Sequence, residues 1–399
     1  MKFATKALSL GAKDAHGAMR FPIYQSAAFE AQDAAALEAV FKGQSANHAY
    51  TRSTNPTTQE FEARVRGLSG AFGVVAMASG MGAISAVLLG LLKTGDNFIA
   101  TNHLFGNTIS LFNTLFEDMG IEVRYVEHAS EVEARIDANT RLFFCEALSN
   151  PQLSVVDFEA LKPVLKAHNI PLVADTTMTP WNIFDAKAHG VDVEVVSATK
   201  FISGGGHVLG GLVLEYGTFD WGKAPNLASF YAKFGPNAFI AKLRKETYRN
   251  LGACLSPQSA YLLALGLETL DLRVKRSCES ALRLAQTLEK KGLKVHYPLL
   301  ESSPYCDLAT KTFSQGGALL SLDMGSKEAA YALMDSFKII KRGTNIQDNK
   351  SLAIAPYHTI YAEFSHDQKA AWGVSEGLIR LSIGLEDPED LELDILETL

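Results

Sequence analysis

Short apolar segments alternate with helical segments from about residue 70 onward, and this alternation limits the possible folds more than any other feature of the sequence. Parallel strands that are buried on both faces read as unbroken apolar runs, and helices cover such a sheet. The sequence therefore predicts an α/β fold with a large, mostly parallel sheet and helices on both of its faces. The predicted strands are Val74–Met77, Asn97–Ala100, Val123–Val126, Arg141–Cys145, Leu172–Ala174, Val193–Val196 and Leu212–Leu214, with helices at Ala83–Leu92 and Phe158–His168.

The chain divides into three predicted parts, because 399 residues, 47% of them hydrophobic, exceed what one ordinary core holds. Residues 1–55 show little periodicity and predict an extended N-terminal arm. Residues 56–250 predict the larger α/β domain. Residues 251–399 predict a smaller α+β domain that begins with a long helical segment from Ser256-Pro257 to about Lys291, capped by Gly292. Further strands are predicted at Leu293–Tyr297, Ala318–Leu322 and Ile379–Ile383, and further helices at Lys327–Phe337 and Glu389–Leu399.

Charge and hydropathy argue against several classes of partner. The net charge is −7 and no basic block is present, so nucleic acid is not expected as a partner. The longest apolar run, residues 83–92, is too short to cross a membrane, and the N-terminal residues lack the apolar stretch of a signal peptide. The four cysteines are scattered without a CxxC pair. They indicate a protein of the reducing cytoplasm and give no candidate metal site.

Three short motifs follow predicted strands and carry groups that suit ligand binding or catalysis. Ser79-Gly80-Met81-Gly82 opens a helix, where free N–H groups suit a phosphate, although a plain strand-to-helix turn explains it equally well. Asp175 ends an apolar strand, where it can hold a proton on a ligand nitrogen or simply cap the next segment. Lys200, in Ser197-Ala-Thr199-Lys200, can form a Schiff base, although a lone lysine is most often a solvated surface residue. The following run, Ser203-Gly-Gly-Gly206, matches no dinucleotide-binding fingerprint.

Together, the three motifs favour pyridoxal 5'-phosphate as a cofactor. Its phosphate needs N–H groups and hydroxyls, its pyridine nitrogen needs a carboxylate, and its aldehyde needs an amine. A nicotinamide oxidoreductase is disfavoured, because no GxGxxG opens a helix within a strand–helix–strand unit. A catalytically silent binding protein would be expected to have lost Lys200 or Asp175, and both are present.

The chain resembles the Cys/Met-metabolism group of fold-type I pyridoxal-phosphate enzymes, which includes cystathionine γ-synthases, γ-lyases and O-acylhomoserine sulfhydrylases. The resemblance covers nearly the whole chain, from Pro22-Ile-Tyr-Gln to Arg380-Leu-Ser-Ile-Gly-Leu-Glu-Asp387. It rests above all on the motifs Tyr50-x-Arg52-x-x-Asn55-Pro-Thr, Ser79-Gly-Met-Gly-Ala-Ile84 and Ser197-Ala-Thr-Lys200.

This resemblance implies roles for the matching residues. Lys200 would bind the cofactor covalently and move the proton, Asp175 would pair with the pyridinium nitrogen, and Phe105 would stack on the ring. Tyr50 and Arg52 would reach the phosphate of a neighbouring subunit, so that dimers share active sites within a homotetramer, and Tyr50 would also belong to the catalytic set. The remaining phosphate ligands would be Gly80, Met81, Ser197 and Thr199. The substrate carboxylate would be bound by Arg380, Asn150 and Asn345.

Within the family, the stretch from Phe219-Asp-Trp221 to Arg244 resembles O-acetylhomoserine sulfhydrylases in particular. That resemblance implies γ-replacement, in which sulfide or another sulfur donor displaces acetate from O-acetylhomoserine and homocysteine forms for methionine biosynthesis. A cystathionine γ-synthase and a γ-lyase remain open, as do a succinyl ester and the identity of the donor. Asn107 stands where methionine γ-lyases carry Cys, which counts against that branch. Phe105, Thr176 and Ala355 stand where the family usually has Tyr, Asn and His.

Overall fold

Seven strands form the central sheet of the computed structural model, which describes residues 1–397. They are β1 (Gly73–Met77), β2 (Asn97–Thr101), β3 (Glu122–Val126), β4 (Thr140–Glu146), β5 (Leu172–Asp175), β6 (Val193–Val196) and β7 (Gly211–Glu215). Their spatial order is β1-β7-β6-β5-β4-β2-β3. Strand β7 is antiparallel to both of its neighbours, and the other neighbouring pairs are parallel. The predicted mostly parallel sheet is therefore confirmed.

Both faces of this sheet are buried beneath helices. On β4, Phe143 and Cys145 belong to one buried cluster, whereas Leu142 and Phe144 belong to the cluster on the opposite face. Because successive side chains of a strand point to opposite faces, a strand that is covered on both sides needs apolar residues at every position. The α-helices of the chain are α1 (Phe3–Ser9), α2 (Ala34–Lys42), α3 (Pro56–Ser69), α4 (Gly80–Leu91), α5 (Gly106–Leu111), α6 (Val132–Arg135), α7 (Phe158–Ala167), α8 (Ala228–Phe234), α9 (Ala238–Lys242), α10 (Arg249–Leu251), α11 (Pro257–Glu268), α12 (Leu270–Lys290), α13 (Cys306–Thr312), α14 (Lys327–Ser336), α15 (His366–Ala371) and α16 (Pro388–Leu396).

A second sheet of five strands lies in the C-terminal part of the chain. Its strands are β8 (Lys294–His296), β9 (Leu319–Asp323), β10 (Lys341–Arg342), β11 (Leu352–Ile354) and β12 (Leu378–Ser382), in the order β10-β11-β12-β9-β8. Residues of α12, α14 and α16 form a third buried cluster with this sheet. The two sheets lie on opposite sides of the predicted boundary at residue 250, and the boundary itself stays a prediction. The last two positions of the helix predicted at Glu389–Leu399 lie outside the described residues.

The long helical segment predicted from Ser256-Pro257 to about Lys291 consists of two helices, α11 and α12, which are separated by a break at Thr269. The Arg273 side chain lies in the break and donates to the carbonyls of Gly266 (2.7 Å) and Phe201 (2.5 Å). It thereby satisfies a carbonyl at the end of α11 and ties the helix pair to the segment that follows Lys200. Gly292, the predicted C-terminal cap, has the left-handed conformation, with φ of 84°.

The N-terminal arm is not wholly extended, since it contains α1 and α2. Helix α1 buries Ala7 beneath α3 and α11, whereas α2 buries no residue of its own. Both helices are short and repeat an apolar pattern over few turns, so periodicity does not predict them. Within residues 1–397, no helix combines the length and the apolar character needed to cross a membrane.

Candidate active site

A cavity of about 230 Å³ opens at the carboxyl ends of β4, β5 and β6 and extends to β12 of the second sheet. The carboxyl ends of parallel strands are where open α/β sheets bind their ligands. We refer to this space as the main cavity. Its lining includes nine of the predicted site residues, namely Gly80, Met81, Phe105, Asn150, Asp175, Ser197, Thr199, Lys200 and Arg380.

The first turn of α4 forms the end of the main cavity that suits a phosphate. Ser79 caps the helix, its hydroxyl accepting from the Gly82 amide at 3.0 Å, and the next N–H groups are left unpaired by the helix. A Cβ atom at Gly80 would lie 2.8 Å from Cβ of Ser197, so only glycine lets the helix approach the segment 197–199 this closely. Ser197 and Thr199, both hydroxyl residues, also line the cavity, and the Thr199 hydroxyl hydrogen-bonds to the Gly210 backbone. N–H groups and hydroxyls converge here as a phosphate requires.

Two carboxylates lie side by side at the ends of β4 and β5. Asp175 pairs in register with Glu146, and both side chains line the main cavity. Glu146 accepts the Phe105 amide at 2.5 Å and the Asn150 amide at 3.1 Å, and Asp175 accepts the Thr177 amide at 2.8 Å. Burial raises the pKa of both groups, and the neighbouring charge of Asp175 raises the pKa of Glu146 further. A buried carboxylate that forms no ion pair among residues 1–397 fits the protonated ring nitrogen of a pyridoxal cofactor.

Lys200 lies in the turn after β6 with its amine directed to the C-terminal part of the chain. Its Nζ atom donates to Oδ1 of Asn345 at 2.8 Å. Burial lowers the pKa of Lys200 to about 8, and the positive charge of Arg380 is a second, smaller cause of this shift. An amine with this pKa is partly neutral near physiological pH, as both imine formation and proton removal require.

Arg380, in the middle of β12, brings a positive charge into the buried interior. Its side chain donates to Oδ1 of Asn150 (3.1 Å) and to the carbonyls of Thr344 (3.0 Å) and Asn345 (3.3 Å). Within residues 1–397 it has no carboxylate partner, and its Nε atom has no hydrogen-bond partner. Burial lowers the pKa of Arg380 to about 9. A buried guanidinium without an anion fits the carboxylate of an amino-acid substrate.

Tyr50 and Arg52 do not lie in the main cavity of their own chain. Both are exposed, the Arg52 guanidinium lies 5.3 Å from the centre of the Tyr50 ring, and Arg52 also donates to the carbonyl of Arg249 at 2.7 Å. The predicted role of both residues at a neighbour's site stays a prediction.

Sequence reasoning missed several residues of the main cavity. Asp175 was found because it ends a predicted strand. Glu146 ends β4 in the same way, but the predicted strand stopped one residue earlier, at Cys145. Thr177 follows Asp175 by two positions, and its hydroxyl accepts the Ser197 amide at 2.8 Å, which joins the segments after β5 and β6. Thr344 and Ile346 come from a loop of the C-terminal part, and no local motif marks them.

The fold and these groups define a pyridoxal-phosphate-dependent enzyme of fold type I. The family model described as Cys/Met metabolism PLP-dependent enzyme matches residues 4–399. The chain belongs to this family, and its cofactor is pyridoxal 5'-phosphate.

Solved structures and relatives with both sulfhydrylase and lyase activities are similar to the chain. The O-acetylhomoserine sulfhydrylase of the methionine biosynthetic pathway of Wolinella succinogenes is 46% identical, with a TM-score of 0.78 over 88% of this chain and 99% of that one. A proposed O-acetylhomoserine (thiol)-lyase of Campylobacter jejuni, solved with N'-pyridoxyl-lysine-5'-monophosphate, is 31% identical, with a TM-score of 0.95 over 100% and 99% of the two chains. The L-methionine gamma-lyase of Pseudomonas putida is 33% identical over 100% of this chain and 97% of that one.

Proposed function

We propose that the protein is a cytoplasmic O-acetylhomoserine sulfhydrylase, which replaces the acetate of O-acetylhomoserine with a sulfur nucleophile and forms homocysteine for methionine biosynthesis. The observation that carries this proposal is Phe105, whose side chain lines the main cavity without a hydroxyl. No tyrosine of residues 1–397 lines that cavity. Acetate leaves as a stable anion, whereas a thiolate leaving group needs a proton from a nearby acid. The cavity is thus better suited to an acyl ester than to the thioether of methionine or cystathionine.

Substrate binding is assigned to the C-terminal side of the main cavity. Arg380 would bind the substrate carboxylate through its free Nε atom and a neighbouring N–H group, and Asn150 holds the guanidinium in place at 3.1 Å. Removal of two charges from water is favourable only when they pair closely, so this contact also selects amino acids over other esters. The backbone around Asn345 completes this end of the site.

Proton transfer is assigned to Lys200. When bound, the cofactor supplies a carbonyl that reacts with amines and a ring that withdraws electrons from the adjacent carbon. Asp175 would keep the ring nitrogen protonated, while Gly80, Met81, Ser197 and Thr199 would hold the phosphate. Lys200, once its amine is free, would remove the proton from Cα of the substrate and return it after the nucleophile has added. The low pKa of Lys200 supports this role near neutral pH.

A homotetramer built from dimers that share active sites is proposed as the working assembly. The exposed positions of Tyr50 and Arg52, outside the main cavity of their own chain, support it. Both side chains would then complete the phosphate site of a neighbour.

The test is an amino-acid assay on the cofactor-loaded protein. O-acetylhomoserine is incubated with and without sulfide, and homocysteine and 2-oxobutanoate are quantified, with Lys200→Ala as the matched control. We expect homocysteine only with sulfide and little ketoacid. Ketoacid formed at the same rate with or without sulfide would identify a γ-lyase, the activity of the Pseudomonas putida relative. Succinyl ester and other thiols, assayed in parallel, test the choice of acyl group and donor.

A further inference from the structure

A chain of hydrogen bonds leads from Lys200 to a carboxylate outside the main cavity. The Lys200 amine donates to Oδ1 of Asn345 at 2.8 Å, and Nδ2 of Asn345 donates to Oδ2 of Asp348 at 3.0 Å. An asparagine amide has one accepting end and one donating end, so a carboxylate that binds the donating end fixes which end faces the lysine. Asp348 therefore holds Asn345 in the orientation in which its Oδ1 atom accepts the hydrogen bond from Lys200.

The glycine run after Lys200 makes room for this carboxylate. Gly206 has a φ of +60°, and a Cβ atom there would lie 2.3 Å from Oδ2 of Asp348 and 3.0 Å from Nδ2 of Asn345. The Gly204 carbonyl accepts the Asn349 amide at 2.6 Å, which fastens the loop of Asp348 to the same run. The run Ser203–Gly206, which matches no dinucleotide-binding fingerprint, thus has a structural function. Only glycine at position 206 lets the backbone come this close to the Asp348 carboxylate.

The carboxylate of Asp348 acts on Lys200 at a distance rather than through an ion pair. Its second oxygen accepts the Lys350 amide at 3.2 Å, and no lysine or arginine of residues 1–397 forms an ion pair with it. The charged groups that face the Lys200 amine are Arg380, which opposes its protonation, and Asp348 and Asp175, which favour it. The carboxyl group of Glu146 lines the same cavity.

We propose that Asp348 is a positioning residue for Lys200: through Asn345 it orients the lysine amine, and its charge stabilises the protonated form of that amine. This inference rests on the proposed role of Lys200 as the lysine that binds the cofactor and moves the proton. Each time the amine is released from the cofactor, Asn345 and Asp348 would hold it in one place and keep the removed proton on it.

The test measures how fast the cofactor-free protein captures pyridoxal phosphate. Only the neutral amine attacks the aldehyde, so the rate of appearance of the visible absorption band rises with pH through the pKa of Lys200. Asp348→Asn keeps the shape of the side chain and removes its charge, which destabilises the ammonium form. We expect the midpoint of this pH profile to move down by roughly 0.5–1 pH unit.

Two further variants separate the proposal from loss of structure. Asp118→Asn makes the same change of charge at an exposed residue in the helical segment that follows α5, and its profile should match the wild type. Gly206→Ala displaces the Asp348 carboxylate by a different route and should move the midpoint in the same direction as Asp348→Asn. An unchanged or upward midpoint in both folded variants would overturn the proposal. A visible band that persists in Lys200→Ala would instead refute the assignment of Lys200 itself.

Discussion

At the scale of single residues, Phe105 is the residue that we expect to determine which leaving groups the site accepts. It immediately precedes α5, its amide donates to Glu146 at 2.5 Å, and its ring lines the main cavity. Phe105→Tyr would add an acid at this wall, and a general acid typically contributes 10²–10⁴-fold. We expect ketoacid release from cystathionine or methionine to rise at least about tenfold, with O-acetylhomoserine sulfhydrylation within about threefold of wild type. Phe105→Leu, which also lacks a hydroxyl, is the control and should show no such gain. Equal thioether cleavage by all three proteins would contradict this account of the leaving group.

The site residues also differ in how far they could be predicted. Asp175, the last residue of β5, and Lys200, in the turn after β6, were found because strand ends of a parallel sheet converge. Asn345 was expected near the substrate carboxylate, whereas its side chain binds Lys200 and its carbonyl binds Arg380. Asp348 was not found at all. Contacts such as that between Lys200 and Asn345 depend on how the C-terminal sheet packs against the central sheet. No local sequence pattern predicts this packing.

At the scale of secondary-structure elements, the ends of β4 and β5 bring the carboxyl groups of Glu146 and Asp175 together, and the effect on stability can be measured. In the cofactor-free protein the raised pKa of Glu146 means that folding favours its protonated form. The stabilisation is complete below its ordinary pKa of 4.5 and is lost as the pH rises through the raised value. Glu146→Gln cannot titrate, so as the pH rises from about 4.5 into the neutral range its melting temperature should fall less than that of the wild type. Thermal melts of both cofactor-free proteins across this range check the difference. Parallel curves would show that Glu146 has an ordinary pKa.

The central strands were predicted to within a residue or two because apolar runs between turn signals are a strong local pattern. Val193–Val196 was predicted at its observed bounds. The break between α11 and α12 was missed because neither glycine nor proline marks Thr269, and the break depends on contacts of Arg273 with carbonyls elsewhere in the chain. The antiparallel direction of β7 follows from the path of the chain between β6 and β7, which periodicity alone does not report.

At the scale of the whole molecule, the site is assembled from both sheets. The central sheet contributes Asp175 and Lys200 at strand ends, and the C-terminal sheet contributes Arg380 from β12. Neither part alone would hold both the cofactor and the substrate carboxylate. The arm adds a third source of residues if Tyr50 and Arg52 serve a neighbouring chain, because both are exposed in their own chain.

This shared site predicts complementation between two inactive variants. Lys200→Ala lacks the amine but has an intact arm, whereas Arg52→Ala has the amine but lacks the arm's guanidinium. After subunit exchange at equal concentrations, about half of the dimers are mixed, and each mixed dimer has one intact site, so about a quarter of wild-type activity should return. Sulfhydrylation is measured before and after mixing, and native mass spectrometry establishes the fraction of mixed dimers. Exchange without recovered activity would show that Arg52 acts within its own chain or not at all. Recovery in proportion to the mixed fraction would place Arg52 at the neighbour's phosphate.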